Sequence, residues 1–299
     1  MNLRALMYFD ELVRTSSMRA AADNLNVAPT AISRQIENLE DYFGTPLVER
    51  SSRGVTLTAA GQLLAERAGK TLRELGHVHQ LIDDLKGLER GRATIYANGA
   101  TVASLLAPAL SQFSRRYPNL HFDVHITSAR QAIDALVSSQ ADIAITLFAP
   151  KTSEVKILER REISYEVILP AGHALADKSG ISLKDLATIP LALPEKTFAA
   201  RQAFDALFAK AGIALDPTFT ASSLELLKDL VLDGAAVTLL PPHSVGREIA
   251  AGQMVAVPLA GTEGVATTME LCVAPDRELS FAAAALTGFL EAFMKDFLK

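Results

Sequence analysis

Two sets of side chains in this 299-residue chain have the types and spacing to do chemistry. The first lies in "NVAPTAISRQIENLE", where Pro29, Thr30, Ser33, Arg34 and Glu37 recur at the spacing of one helical face. A guanidinium with two hydroxyls beside it offers the donors that phosphate oxygens and base edges accept. The second set is spread along the last two-thirds of the chain. It comprises Asn98, Gly99, Ala100 and Thr101, then Thr127 and Ser128, Thr197 and Phe198, Ser222 and Ser223, and Pro242 with His243. Each group lies just past a strand-like run, and most of them open a helix-like one. Free backbone N–H groups and hydroxyls at such places favour an anion. Arg201 or Arg130 would be the counter-charge, so the expected ligand is a small carboxylate or a similar anion. For any single hydroxyl, helix capping is the plainer reading; only the convergence carries information.

Covalent chemistry finds no such support. No G-x-S-x-G, H-E-x-x-H, P-loop or G-x-G-x-x-G run occurs, so no enzyme, no catalytic residue and no cofactor is expected. His121 and His125 share a strand face, but without a Cys or carboxylate at ligand spacing they read as structural, and no metal site is expected. The lone Cys272, in "ELCVA", excludes an intramolecular disulfide, suits a reducing compartment and reads as a buried strand thiol.

The bulk numbers say where these residues can sit. With 49% apolar and 21% charged residues the chain has ample core material, and its length suggests two or three domains. The stretch "MNLRALMYFDELVRT" lacks the apolar core of a signal peptide, and no uncharged apolar run reaches the ~18 residues a membrane span needs. A cytoplasmic location is expected, with no membrane partner. The net charge is −5, and the first 91 residues hold 11 Lys and Arg against 12 Asp and Glu. Any nucleic-acid contact must rest on where the charges lie, not on their total.

Three short helical patterns position the first set. Residues 3–14 place Leu6, Phe9 and Val13 on one face. Ser16 and Ser17 can cap a second helix near Met18, rich in small residues. Asn26 enters left-handed turn geometry at low cost, and Pro29 suits the first turn of a third helix. That helix has Ile32, Ile36, Leu39 and Phe43 on one face, and Gly44 stops it. Ala22, Asn26, Val27 and Ile32 have helix-turn-helix spacing. "GTPLVERSSRGVTLTAAG" then supplies two extended pieces, Leu47–Glu49 and Val55–Leu57, as a small wing with Arg50 and Arg53 at its base and tip. Any compact three-helix bundle with a solvated face remains the alternative.

From "MRAAADNLNVAPTAISRQIENLEDYFGTPLVER" through "SSRGVTLTAAG" the chain resembles the winged helix-turn-helix of the LysR-type transcriptional regulators. The resemblance implies contact with double-stranded promoter DNA by Arg19, Pro29, Thr30, Ser33, Arg34, Glu37, Arg50 and Arg53. Arg34 would read a base or its phosphate, and Arg53 would enter the neighbouring minor groove. A Gln common near position 29 in that family is Pro29 here, so half-site preference does not transfer.

Thr58 precedes a long helical stretch to about Lys86. Leu64, Ala68, Thr71, Leu75, Val78, Ile82 and Leu85 form a heptad seam, which marks packing along another helix. Burial under the chain's own C-terminal part is the plainer alternative. The resemblance implies a homodimer or homotetramer paired through this helix, placing two reading helices on an inverted repeat.

After the charged hinge "GLERGR" the pattern alternates strand and helix, which builds open, mostly parallel sheets. Helices are expected at 101–117, 129–138, 198–211, 222–232 and 281–297. "SLLAPALSQFSRRYPNL", "SSQADIAI", "LPAGHALADKSGISLKDLATIPL" and "LVLDGAAVTLLP" resemble the effector-binding domain of the same family, itself like the periplasmic solute-binding fold. The expected architecture is α/β overall. A winged helix-turn-helix spans residues 1–57, and a linker helix and hinge spans 58–91. A two-lobed effector domain spans 92–299, with lobe I at about 92–161 and 267–299 and lobe II at about 162–266. Its ligand lies between the lobes, where several strand ends meet. The alternative is a cytoplasmic small-molecule-binding protein whose N-terminal helices serve protein contacts.

Overall fold

The computed structural model describes residues 2–51, 54–85 and 90–296, with no account of the Arg50 and Ser51 side chains. Two compact units emerge, residues 1–86 and 87–299.

In the first unit, α1 (Leu3–Thr15) is capped by the Asn2 side chain, which accepts from the Ala5 N–H. Next, α2 (Met18–Asn24) is capped by Ser17, and Asn26 adopts φ +52, the left-handed turn expected of it. Then α3 (Pro29–Phe43) ends at Gly44 with φ +67. Phe9, Leu12, Ala21, Ala22, Ile32, Ile36 and Leu39 close the core between the three helices. The two alanines leave room for α2 to cross its neighbours at close range. A wing follows, β1 (Val48–Ser51) paired antiparallel with β2 (Gly54–Leu57). The Glu40 carboxylate accepts from the N–H groups of Leu47 and Val48, which spends its charge on fastening the wing to α3.

The long helix α4 (Ala59–Leu85) starts hard against the wing: a Cβ at Gly61 would lie 2.0 Å from the Leu47 carbonyl oxygen, so only glycine fits. The heptad seam divides along this helix. Leu64 packs on the unit's own core and Ala68 is buried in it. The Thr71 hydroxyl donates back to the Arg67 carbonyl. Thr71 and the distal half, Leu75, Val78, Ile82 and Leu85, stand exposed, with Leu85 at 88%. The expectation of one continuous docking seam is corrected accordingly, because the wing and α1 already cover the helix's first half. His77 is buried, whereas His79 is exposed beside Asp83.

The second unit begins with β3 (Gly91–Ala97), a 3-10 turn at Gly99–Thr101 and a π turn at Val102–Leu106, leading into α5 (Ala107–Arg116). The single α-helix expected over 101–117 is therefore corrected. Pro108 has no N–H for the carbonyl four residues back, and its ring would crowd that carbonyl; a widened preceding turn relieves both. There follow β4 (Leu120–Ile126), α6 (Ala129–Val137), β5 (Ile143–Leu147) and the fifteen-residue β6 (Lys156–Pro170). Beyond it come β7 (Ile181–Ser182), α7 (Leu183–Leu186), β8 (Ala192–Pro194), α8 (Ala199–Lys210), β9 (Phe219–Ala221), α9 (Leu224–Leu232) and β10 (Thr238–Leu240). A 3-10 turn at Pro242–Val245, α10 (Gly246–Ala250), β11 (Met254–Val257), β12 (Leu259–Ala260), β13 (Val265–Val273) and α11 (Phe281–Asp296) complete the chain.

The principal sheet has the order β10-β6-β13-β5-β3-β4, with β11 also on β6. Only β3 runs parallel to β4 and β5; β13, β10 and β11 pair antiparallel with their neighbours. The mostly parallel sheet expected from the βα alternation is corrected to a mixed one. The chain leaves the first lobe through β6 and returns through β13, so the return strand enters beside β5 in the opposite sense. One core gathers Ile95, Phe113, Ile145, Ile163, Leu271 and Leu286, and a second gathers Tyr165, Val167, Phe204, Phe208 and Val265. The two antiparallel strands thus pass from one lobe's core into the other's. Among the described residues, no helix is long and apolar enough to cross a membrane.

Candidate nucleic-acid interface and ligand cleft

Helix α3 is two-faced. Ile32, Ile36 and Leu39 are buried, while Pro29, Thr30, Arg34 and Glu37 are exposed with Ser33 half-buried between them. Ser33 donates to the Glu37 carboxylate at 3.1 Å, which orients both. The helix start matters as much as its face. Ala28, in the cap position, provides no side-chain acceptor. Pro29 has no N–H and the Ala31 N–H donates to the Ala28 carbonyl at 2.9 Å, so the Thr30 N–H is what this first turn leaves for an external anion, with the helix dipole behind it. Arg19 is exposed on α2. Arg53 and the Arg50 side chain lie outside the described residues.

The second set of residues does collect at strand ends, but most of it is spent internally. The Asn98 amide accepts from the Leu147 N–H at 2.6 Å and donates to the Thr127 carbonyl at 3.2 Å, tying together the ends of β3, β4 and β5. Thr101 is buried, and its hydroxyl donates to the Asn98 carbonyl. Thr127 and Ser128 both donate to the Gln131 side chain, the latter within a capping box on α6. Ser223 caps α9. Gly99, Ala100, Phe198, Pro242 and His243 are half-buried, whereas Thr197, Ser222 and Arg130 are exposed.

Arg201 is corrected as a counter-charge: it is 3% exposed, and its guanidinium donates to Asp205 at 2.8 Å and to the Pro194 carbonyl at 3.1 Å. Its side chain binds β8 to α8 because it lies one turn from Asp205. By contrast Phe198, at the start of α8, offers no side-chain cap, so this helix keeps free N–H groups. The π turn of lobe I packs against the 3-10 turn of lobe II that carries His243. Burial lowers the pKa of that imidazole to about 4, so it is neutral at physiological pH.

Sequence reasoning missed Phe148, Tyr165 and Thr267. Phe148 follows β5 with φ +57, a left-handed backbone rare for an aromatic residue, and its N–H donates to the Thr267 hydroxyl at 2.9 Å. Its ring centroid lies 5.7 Å from that of Tyr165. An aromatic residue ending an apolar strand reads as ordinary core, so no sequence signal distinguished it. Elsewhere, His125 packs 4.6 Å from Tyr96, and Asp123, between the two strand histidines, is held by both carboxylate oxygens to Arg92. Cys272 is buried as expected; burial, with help from the Glu270 charge, pushes its pKa up to about 12.

Comparison with known proteins matches both units to one family. Residues 3–62 match the model of the bacterial regulatory helix-turn-helix protein, lysR family, and residues 86–295 match the LysR substrate binding domain. The hydrogen peroxide-inducible genes activator of Pectobacterium carotovorum subsp. carotovorum is 30% identical over 248 residues, 83% of this chain and 82% of that protein. The RuBisCO operon transcriptional regulator of Allochromatium vinosum is 27% identical over 264 residues, 87% and 86% of the respective chains. Full-length CbnR, solved in complex with its target DNA, has the same fold at a TM-score of 0.70 and 20% identity, covering 98% of this chain and 100% of that one.

Proposed function

The chain belongs to the LysR family of bacterial transcriptional regulators, and from that premise we propose how its residues divide the work. Helix α3 lies in the major groove. Arg34 reads a base edge or its phosphate, Thr30 and Ser33 assist, Glu37 braces Ser33, and Pro29 opens the helix beside the Thr30 N–H. Arg19 meets the flanking phosphates, and Arg50 and Arg53 of the wing reach the adjacent minor groove. The observation that carries this reading is the exposed polar face of α3, backed by buried Ile32, Ile36 and Leu39 and started by an uncapped turn. It resolves the mismatch with net charge, since the few basic groups on this unit need only be placed, not numerous.

Leu75, Val78, Ile82 and Leu85 pair with the same residues of a second copy, and dimers can pair further into tetramers. The second unit binds a small organic anion between its lobes. The free start of α8 and exposed Arg130 support that choice of ligand. The protein works in the cytoplasm and performs no catalysis. An effector that binds two lobe arrangements unequally shifts their balance, and through the dimer changes how DNA is held.

The test is binding of the purified full-length protein to DNA from upstream of its own coding region, followed by fluorescence anisotropy across a salt series. Affinity should fall linearly on logarithmic axes as salt rises, as counterion release requires. Indifference to every fragment at low salt would sink the reading.

A further inference from the structure

The turn that joins α3 to the wing is gripped from both edges by side chains of different elements. One carboxylate oxygen of Glu40, in the last turn of α3, accepts from the Leu47 N–H at 2.8 Å and from the Val48 N–H at 3.2 Å. On the opposite edge of the same two peptides, the Thr58 hydroxyl donates to the Pro46 carbonyl at 2.8 Å, and the Thr58 N–H donates to the Leu47 carbonyl at 3.1 Å. Thr58 also opens α4, its hydroxyl accepting from the Gly61 N–H at 3.0 Å. The peptides of residues 46–48 therefore give both N–H groups to α3 and both carbonyls to the start of α4. Gly61 seals the grip, because the Leu47 carbonyl leaves no space for a Cβ there. Leu47 and Val48 are buried, so an N–H that loses its acceptor here has little water to replace it.

This clamp does something that packing alone does not. Leu64 and Ala68 hold α4 on the first unit's core by apolar contact, which is non-directional. Hydrogen bonds are directional and fix an angle. That angle matters because α4 is a lever. From Gly61 to Leu85 it runs about 36 Å, so a tilt of about 5° at its base moves Leu85 by about 3 Å. The rise of one base pair is nearly the same, about 3.4 Å. The distal residues that pair two copies thus sit at the far end of an arm whose base is tied to the reading helix.

We propose that Glu40 and Thr58 are positioning residues that set the spacing at which two copies read DNA, through the clamp they form on the 46–48 peptides. The inference rests on the DNA-reading and pairing assignments above and adds to them what fixes the separation of the half-sites.

The experiment titrates the full-length protein with duplexes built on the inverted repeat that it protects upstream of its own coding region. The separation of the two half-sites is lengthened or shortened by one and by two base pairs. The readout is the ratio of dissociation constants between separations. A partly unfolded variant weakens every duplex by the same factor and leaves that ratio alone. The wild type should favour one separation by on the order of tenfold. Glu40→Ala and Thr58→Val should each flatten that preference to about threefold or less. Glu40→Gln, whose amide oxygen still accepts, and Thr58→Ser, which keeps the hydroxyl, should retain it. Unchanged ratios in Glu40→Ala and Thr58→Val overturn the proposal. So does a Glu40→Gln that flattens the preference as fully as Glu40→Ala, since charge and not the acceptor would then be at work. A wild type indifferent to spacing overturns it too, while DNA reading itself stands. A wild type that binds no duplex at low salt brings down the parent reading and this inference with it.

Discussion

Arg34 and Arg201 are alike on paper and opposite in place. Arg34 stands exposed on a helix face with Ser33 and Glu37 beside it, whereas Arg201 is sealed against Asp205 and the Pro194 carbonyl. Replacing Arg34 by Ala should weaken promoter binding by about 1–3 kcal/mol while leaving circular dichroism and the melting temperature unchanged. Anisotropy titration decides it, and unaltered affinity removes Arg34 from the interface. His243 carries a different prediction. Its folded pKa is about 4 against an ordinary 6.5, because burial penalises the charged ring. Between those values the unfolded chain takes up a proton that the folded one refuses, so stability is full above about 6.5 and drains as pH falls toward about 4. Melting curves from pH 7 to pH 4 should show this loss, and His243→Gln should flatten it. Identical slopes for the two proteins would contradict the buried, neutral imidazole.

At the scale of elements, α4 joins two environments along one helix. Its first half is core, with Gly61 against the Leu47 carbonyl and Ala68 buried; its distal half exposes Leu75, Val78, Ile82 and Leu85. Val78→Glu with Ile82→Glu should therefore dissociate the dimer without unfolding the chain, because no buried contact of the first unit is lost. Sedimentation velocity would read the change, and a dimer that survives both charges would move the interface elsewhere. Element positions were largely legible: α1 to α3, the Asn26 turn and the Gly44 stop follow from local periodicity and capping. The division of the seam was not, because heptad spacing reports that a face is apolar and not which neighbour covers it. The π turn at Val102–Leu106 was equally hidden, although Pro108 carried its cause in plain view.

Across the whole second unit, β6 and β13 run from one lobe's core into the other's, so neither lobe closes its sheet alone. A piece comprising residues 90–299 should accordingly unfold in a single calorimetric transition. Two separated transitions would mean that the lobes hold themselves together independently.

Sequence by itself determined the family, the two-faced α3, the positions of most helices and the burial of Cys272, since each is encoded within a few neighbouring residues. Tertiary structure alone decided which polar groups are free. Asn98 meets Leu147 and Phe148 meets Thr267 across 49 and 119 residues of chain, and those bonds withdraw or expose donors that no local pattern describes. The physical reason is that a hydrogen-bonding group has a fixed number of partners to satisfy, and distant segments brought together by packing reach most of them first.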